Sequence, residues 1–175
     1  GHIDQTGRLV PTQVDRAAAV KVFGAFIQGR RLVGQNLKYD INILRSQGIS
    51  IQPEQLHFDT MIASYVLEPE QRHNLDVLSG KHLGHKTISY AELCGEGKSQ
   101  ISFAQVEIAR AGEYAAEDAH GAFLRTQTLE ERLAESPSLE KVFREIDLPL
   151  VPVLASMEWE GVAVDRPHLK KISNE

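Results

Sequence analysis

From Asp15 the apolar residues of the run DRAAAVKVFGAFIQ recur at spacings near three and four, through Ala17, Val20, Phe23 or Phe26, and Ile27. That period predicts an amphipathic helix, with Asp15 as its cap and Gly29 as its stop. A short apolar piece, Leu32-Val33-Gly34, reads as a buried strand feeding a helix that ends near Gly48. The stretch from Ile49 to Phe58 predicts a second strand, and Asp59-Thr60 a cap for a helix over Met61 to Leu67. Short strands alternating with helices predict α/β architecture. Helical spacing returns from Asn74 to Leu83, where Leu75, Leu78 and Leu83 share a face that Gly80 weakens. After a glycine-bearing loop with one helical turn at Tyr90 to Leu93, a long helix is predicted from Gln105 to about Leu133, with an interruption near Gly112. Pro137 is expected to break the chain. A last long helix, from Leu139 towards Trp159, is expected to be kinked or divided by Pro149 and Pro152, before an extended piece at 161–165 and a helical start at Pro167. Residues 1–12 read as loop.

Composition narrows the class. With 42% hydrophobic and 25% charged residues among 175, the chain has the balance of a globular domain rather than a collagen-like or disordered one. Its longest apolar runs fall well short of the roughly 18 residues that span a bilayer, and residues 1–30 carry no secretory pattern, so no membrane partner is expected and the chain reads as cytoplasmic. A single cysteine, Cys94, cannot make an internal disulfide. The net charge of -5 argues against a surface coated in basic residues but leaves room for a local basic patch. The chain begins at Gly1 without a methionine and stops at Glu175 within a charged, helix-like segment, as a piece of a longer protein would.

Two spaced motifs are candidates for chemistry. Asn36-x-x-x-Asp40 sits where a strand gives way to a helix, the end of an α/β sheet at which ligands bind. Tyr114-x-x-x-Asp118 lies within the long helix, where a spacing of four puts phenol and carboxylate on one face. Taken alone, each is commonplace: Asn36 reads equally as a helix cap, and Tyr114 as a half-buried packing residue with a wet hydroxyl. His82-Leu-Gly-His85, with His73 nearby, has no acidic or cysteine partner at zinc spacing and reads as surface histidines or as histidines that support a site without contacting its ligand. Cys94, in a loop with no evident histidine beside it, reads as an ordinary thiol. Lys81, Lys86 and Lys98 are exposed-type lysines that would also suit a path for single-stranded DNA.

The text around the two motifs changes their weight. Gly34-Gln35-Asn36-Leu37-Lys38-Tyr39-Asp40 resembles the second exonuclease motif of the family A DNA polymerases, the bacterial DNA polymerase I family, and Tyr114-Ala115-Ala116-Glu117-Asp118-Ala119 resembles the third. Phe58-Asp59-Thr60-Met61, Lys86-Thr87-Ile88 and Gly95-Glu96-Gly97-Lys98 lie between them in that family's order. The stretches Leu148 to Leu154 and Met157 to Asp165 resemble the start of its polymerase part. The likeness covers nearly the whole chain and thins before about Ala17.

This resemblance implies a helix-rich ribonuclease H-like 3'-5' exonuclease fold, incomplete at its N-terminus, over residues 1–135, and the first helices of the polymerase region over 136–175. It implies proofreading of single-stranded 3' ends of DNA with two divalent ions, Mg²⁺ or Mn²⁺, of the kind that hard carboxylate ligands hold. Asp118 would help hold the ion carrying the attacking water, Asp40 would serve the second ion, and Tyr114 would orient the water. Gln35, Asn36 and Arg72 would contact substrate, and Tyr90 would lie beside the frayed 3' end. The implied partners are DNA and the remainder of a polymerase chain that synthesises and repairs DNA.

One departure matters. The family's first motif, Asp-x-Glu, should lie well upstream of Asn36, and nothing in residues 1–30 matches it. Asp59-Thr60-Met61 lacks the Glu and reads as a structural helix cap. Truncation is the favoured explanation, since a degenerate site has no reason to keep Asn36, Asp40, Tyr114 and Asp118 together. The 175 residues alone are then expected to be inactive as a nuclease. The alternatives are a proofreading-dead structural domain of the same polymerase, and a stand-alone exonuclease that trims RNA, against which the Leu148 to Asp165 stretch stands. A sheet lacking its first strands is also expected to leave strand edges and apolar helix faces uncovered.

Overall fold

The computed structural model describes residues 1–4, 6–73 and 88–174. Helix α1 spans Arg16–Ile27, and the Asp15 carboxylate accepts from the Ala18 N–H at 2.9 Å, as the cap pattern predicts. Strand β1, Leu32–Gly34, leads into α2, Leu37–Ser46. Strand β2, Leu56–Asp59, leads into α3, Thr60–Leu67. The two strands run parallel in the register Leu32 to Leu56, Val33 to Phe58 and Gly34 to Asp59, with an irregularity between Leu32 and Val33. Both strand-to-helix transitions therefore lie side by side at one end of the sheet, which among the described residues has only these two strands. The α/β expectation holds in this reduced, helix-rich form.

The predicted strand from Ile49 is shorter than expected. Pro53, which has no N–H to give a ladder, starts a 3₁₀ turn over Pro53–Gln55, and pairing begins only at Leu56. The predicted helix over Asn74 to Leu83, with Lys81, His82, His85 and Lys86, lies outside the described residues. Helix α4 spans Tyr90–Cys94, so Cys94 ends a helix rather than lying in a loop, and it is buried. The long helix α5, Ile108–Ala134, starts after a 3₁₀ turn at Phe103–Gln105 and runs through Gly112 without interruption. A single exposed glycine costs about 1 kcal/mol, too little to break a helix of 27 residues.

Pro137 opens α6, Pro137–Val142, where its missing N–H is harmless. A π-helical segment, Phe143–Asp147, then passes directly into α7, Leu148–Glu160, so Pro149 and Pro152 do not divide the helix. The Leu148 N–H reaches back five residues to the Phe143 carbonyl, and this wider turn takes up the hydrogen-bond mismatch where Pro149 enters. Helix α8 spans Arg166–Ser173.

The main core joins Leu37, Leu56, Phe58 and Ala63 to Leu129 and Leu133 of α5 and to Phe143, Leu148 and Val151. Phe58 and Phe143, both fully buried, meet with ring centroids 4.7 Å apart. Helix α7 also packs on α2, where Lys38 pairs with Glu158 at 2.6 Å and the Arg45 guanidinium lies 4.4 Å from the Trp159 ring centre. A second, smaller core gathers Leu93, Cys94, Val106 and Ala111 around the start of α5. On α1, Val22, Phe23 and Phe26 stay exposed, in keeping with the uncovered apolar faces expected of so small a sheet. Among the described residues no helix is long and apolar enough to cross a membrane.

Candidate active site at the end of the sheet

The site is organised by a carboxylate that the sequence marks only as a helix cap. Asp59, at the end of β2 and almost fully buried, accepts from the Met61 and Ile62 N–H groups at 2.9 and 3.3 Å and so caps α3. It also accepts from the neighbouring strand end, from the Asn36 N–H at 3.1 Å and the Leu37 N–H at 2.7 Å. One side chain thus satisfies the orphan donors of two helices. The cap reading of Asp59 is correct as far as it goes, and the reach across to α2 is what local spacing did not reveal.

Because Asp59 does the capping, the Asn36 side chain makes no cap bond to α2. Asn36 instead occupies the left-handed region, with φ 63° and ψ 53°, alone among the described non-glycine residues. Asn tolerates this conformation better than most residues, and it aims the chain sharply from β1 into α2. Gly34, just before it, is buried, and a Cβ there would stand 2.5 Å from Leu37 Cδ2. A side chain at position 34 would therefore have to push Leu37 aside.

Asp40 follows one turn into α2. Much of the residue is exposed, yet its Oδ2 turns inward, 3.8 Å from where a Cβ on Gly34 would lie. Burial of the carboxyl, and next the negative charge of Asp59, push its pKa up to about 6. Burial raises Asp59 as well, against the lowering effect of its backbone donors.

Gln35 is committed on both sides of its carboxamide. Its oxygen accepts from the Thr60 hydroxyl, and its nitrogen donates to the His73 carbonyl at 2.8 Å. That tie holds the exposed Arg72 in a segment fastened to the end of β1. His73 is occupied locally, with Nδ1 2.9 Å from the Ser64 hydroxyl and its ring against Tyr65.

Helix α5 packs against β1 and carries Tyr114 and Asp118 on one face. Tyr114 is half-buried at the edge of the second core, with its ring centre 6.1 Å from that of Phe103. Two turns beyond Asp118, Arg125 is fully buried in the same helix. Its guanidinium lies over Gly121, where a Cβ would come within 3.0 Å of Nη1. Burial weakens its hold on its proton, and the Asp118 charge strengthens it. Glu117 accepts from the Ile88 N–H at 2.7 Å and so fastens the residues leading to Tyr90 onto α5. Tyr90 is 46% exposed and stacks towards Phe103; the Cys94 thiol, first, and then burial raise its phenol above the ordinary range. Lys98 lies in an exposed 3₁₀ turn, Gly97–Ser99.

The structure thus joins Gln35, Asn36, Asp40 and the Arg72 segment at one sheet end, joins Tyr90 to Tyr114 through Phe103, and packs the helix bearing Asp118 on β1. It does not bring three metal-ligating side chains together anywhere among the described residues. The sequence also contains no Asp-x-Glu. Among the described residues, the side chains brought together do not make a complete two-ion site. Sequence reasoning missed Phe103, Glu117 and Arg125. Only Phe103 had a local signal, the Ser102-x-x-Gln105 capping box that sets its turn.

A family described as 3'-5' exonuclease matches residues 4–134. The chain is 42% identical over 159 residues to DNA polymerase I of Pseudomonas aeruginosa, an overlap of 89% of this chain and 17% of that protein. It is 39% identical over 172 residues to DNA polymerase I of Rhizobium leguminosarum, covering 97% of this chain and 16% of that protein. With DNA polymerase I of Synechocystis the identity is 37% over 142 residues, covering 81% and 14%. The chain spans about a sixth of the length of the first two of these curated relatives.

Proposed function

The chain belongs to the 3'-5' exonuclease family of the bacterial DNA polymerase I enzymes, and we propose that it forms the part of a proofreading domain that receives the single-stranded 3' end of DNA. The observation that carries this reading is the meeting of Asn36, Asp40 and the Arg72 segment at the end of a strand on which the Tyr114 and Asp118 helix is packed. In this reading residues 1–135 are the larger part of a ribonuclease H-like exonuclease domain, and residues 136–175 begin the polymerase region of a protein that synthesises and repairs DNA.

Each side chain then has a task set by its chemistry. Arg72 meets a backbone phosphate. Asn36, its carboxamide spared from capping, hydrogen-bonds to the terminal nucleotide, and Gln35 holds the Arg72 segment in reach. Tyr90 offers an exposed ring on which a base can stack. Tyr114 presents its phenol to the water beside the scissile phosphate. Asp40 and Asp118 contribute two of the four carboxylates in the family's pattern, so the pair of Mg²⁺ or Mn²⁺ ions that activates water and steadies the leaving oxygen would need ligands from outside these 175 residues.

Incubating the chain with end-labelled oligonucleotides and Mg²⁺ tests this. It should bind a single-stranded 3' end and release no nucleotide. Joining an upstream segment that bears Asp-x-Glu should restore Mg²⁺-dependent release, which Asp118→Ala abolishes. Failure to bind single strands, or strong release by the 175 residues alone, would refute the reading. Binding without restoration would favour a platform that has lost proofreading, the reading that the missing Asp-x-Glu also suits.

A further inference from the structure

Phe103 is the one described residue whose ring meets both candidate tyrosines. Its centroid lies 6.4 Å from that of Tyr90, with the planes 13° apart, and 6.1 Å from that of Tyr114 at 60°. The two tyrosines belong to different elements, α4 and α5. Between them stands the Phe103–Gln105 turn, fixed from several directions. Ser102 and Gln105 close a reciprocal capping box across it. The Ile3 N–H donates to the Ala104 carbonyl at 2.7 Å, and His2 Nδ1 lies 2.9 Å from the Val106 carbonyl. The His2 ring also packs on Phe103 at 5.8 Å.

Phe103 packs against the second core from its edge rather than filling it. Val106, three residues on, is the buried member of this turn and joins Leu93, Cys94 and Ala111. Phe103 stays half-buried at the rim, in a row that runs from exposed Tyr90 through Phe103 to half-buried Tyr114.

We infer that Phe103 is a positioning residue of the 3'-end site, its ring fixing Tyr90 relative to Tyr114 so that a base stacked on Tyr90 is presented at a set distance from the Tyr114 phenol. This rests on the function proposed above. A flat ring is required, because an aliphatic side chain of similar volume fills the space without defining the tilt of either neighbour.

The test uses the whole chain with a single-stranded oligonucleotide carrying 2-aminopurine as its 3'-terminal base, whose fluorescence falls when the base stacks. Phe103→Leu keeps the apolar volume and should leave the melting temperature within a few degrees. It should weaken binding roughly three- to tenfold and abolish most of the quench. It should also shift the ring resonances of Tyr90 and Tyr114 but not those of Tyr39 and Tyr65. Phe103→Tyr, which keeps the ring, should behave as the unaltered chain. The inference is overturned if Phe103→Leu binds and quenches normally, if it moves neither tyrosine, or if Phe103→Tyr loses as much as Phe103→Leu. No quench by the unaltered chain would instead refute the 3'-end reading itself, and this inference with it.

Discussion

Replacing Asp40 by Asn should stabilise the chain at neutral pH, and the gain should vanish in acid. Asp40 carries a carboxyl whose folded pKa is pushed up to about 6 from 3.8, by burial and by the charge of Asp59. An acid with a raised folded pKa destabilises the folded state once it ionises, so stability is undiminished below about pH 4, falls as pH rises to about 6, and stays lowered above that. The full shift corresponds to about 3 kcal/mol. Because much of the residue faces solvent, screening reduces this to on the order of 1–2 kcal/mol. Urea unfolding of the unaltered chain and of Asp40→Asn, at pH 4 and pH 7.5, measures it. The difference between the two proteins is the informative quantity, because Asp59, itself raised, and His57, lowered by burial, contribute to both. Asp40→Asn should be the more stable protein by about 1–2 kcal/mol at pH 7.5 and nearly equal to the unaltered chain at pH 4. A destabilised Asp40→Asn at pH 7.5, or a difference that does not change with pH, would refute the picture of two carboxylates crowded at the sheet end.

Other expectations follow from single contacts. Asp59→Ala strips acceptors from four backbone N–H groups across two helices, so the urea midpoint should fall by the equivalent of about 2–4 kcal/mol; Asp59→Asn, which keeps one acceptor oxygen, should fall by less. Gly34→Ala forces Leu37 from its place and should cost about 1–3 kcal/mol, with circular dichroism showing the helices otherwise retained. Arg45→Ala uncovers the ring of Trp159, the sole tryptophan, so its emission should shift to the red with a loss of about 0.5–1 kcal/mol; unchanged emission would mean that α2 and α7 do not meet in solution as described.

Local chemistry explains which parts of this structure were legible in the sequence. The two strand-to-helix units could be read because each pairs an apolar run with a residue suited to the junction: Gly34 and Asn36 in one, Asp59 and Thr60 in the other. The misread boundaries lie at proline and glycine, where the outcome depends on neighbours. Pro53 ended a predicted strand early because the ladder needs the N–H it lacks, while Pro149 left a helix whole because a π turn preceded it. Gly112 did not interrupt α5, whose buried residues Ala111 and Gly121 to Leu133 tie it to both cores. Spacing alone gave no sign of the π turn or of the two cores.

The candidate site divides along the same line. Its motif residues are local words: the four-residue spacings offered Asn36, Asp40, Tyr114 and Asp118 only as commonplace candidates, and the residues flanking them gave them weight through the family resemblance. What assembles them is not local. Asp59 bonds to Asn36 and Leu37 across more than twenty residues of sequence, Gln35 reaches His73, Glu117 reaches Ile88, and Phe103 meets a ring on either side of it in the chain. Asp59 shows the consequence most sharply. By capping α2 from the neighbouring strand it spares the Asn36 carboxamide, and by being a carboxylate it raises the pKa of Asp40. Both carboxylate oxygens are used, Oδ2 by the Leu37 N–H and Oδ1 by the other three donors, so an asparagine at position 59 would cap only in part. Capping both helices therefore brings a buried negative charge beside Asp40 at the sheet end, a standing cost to the fold that Asp40→Asn should reveal.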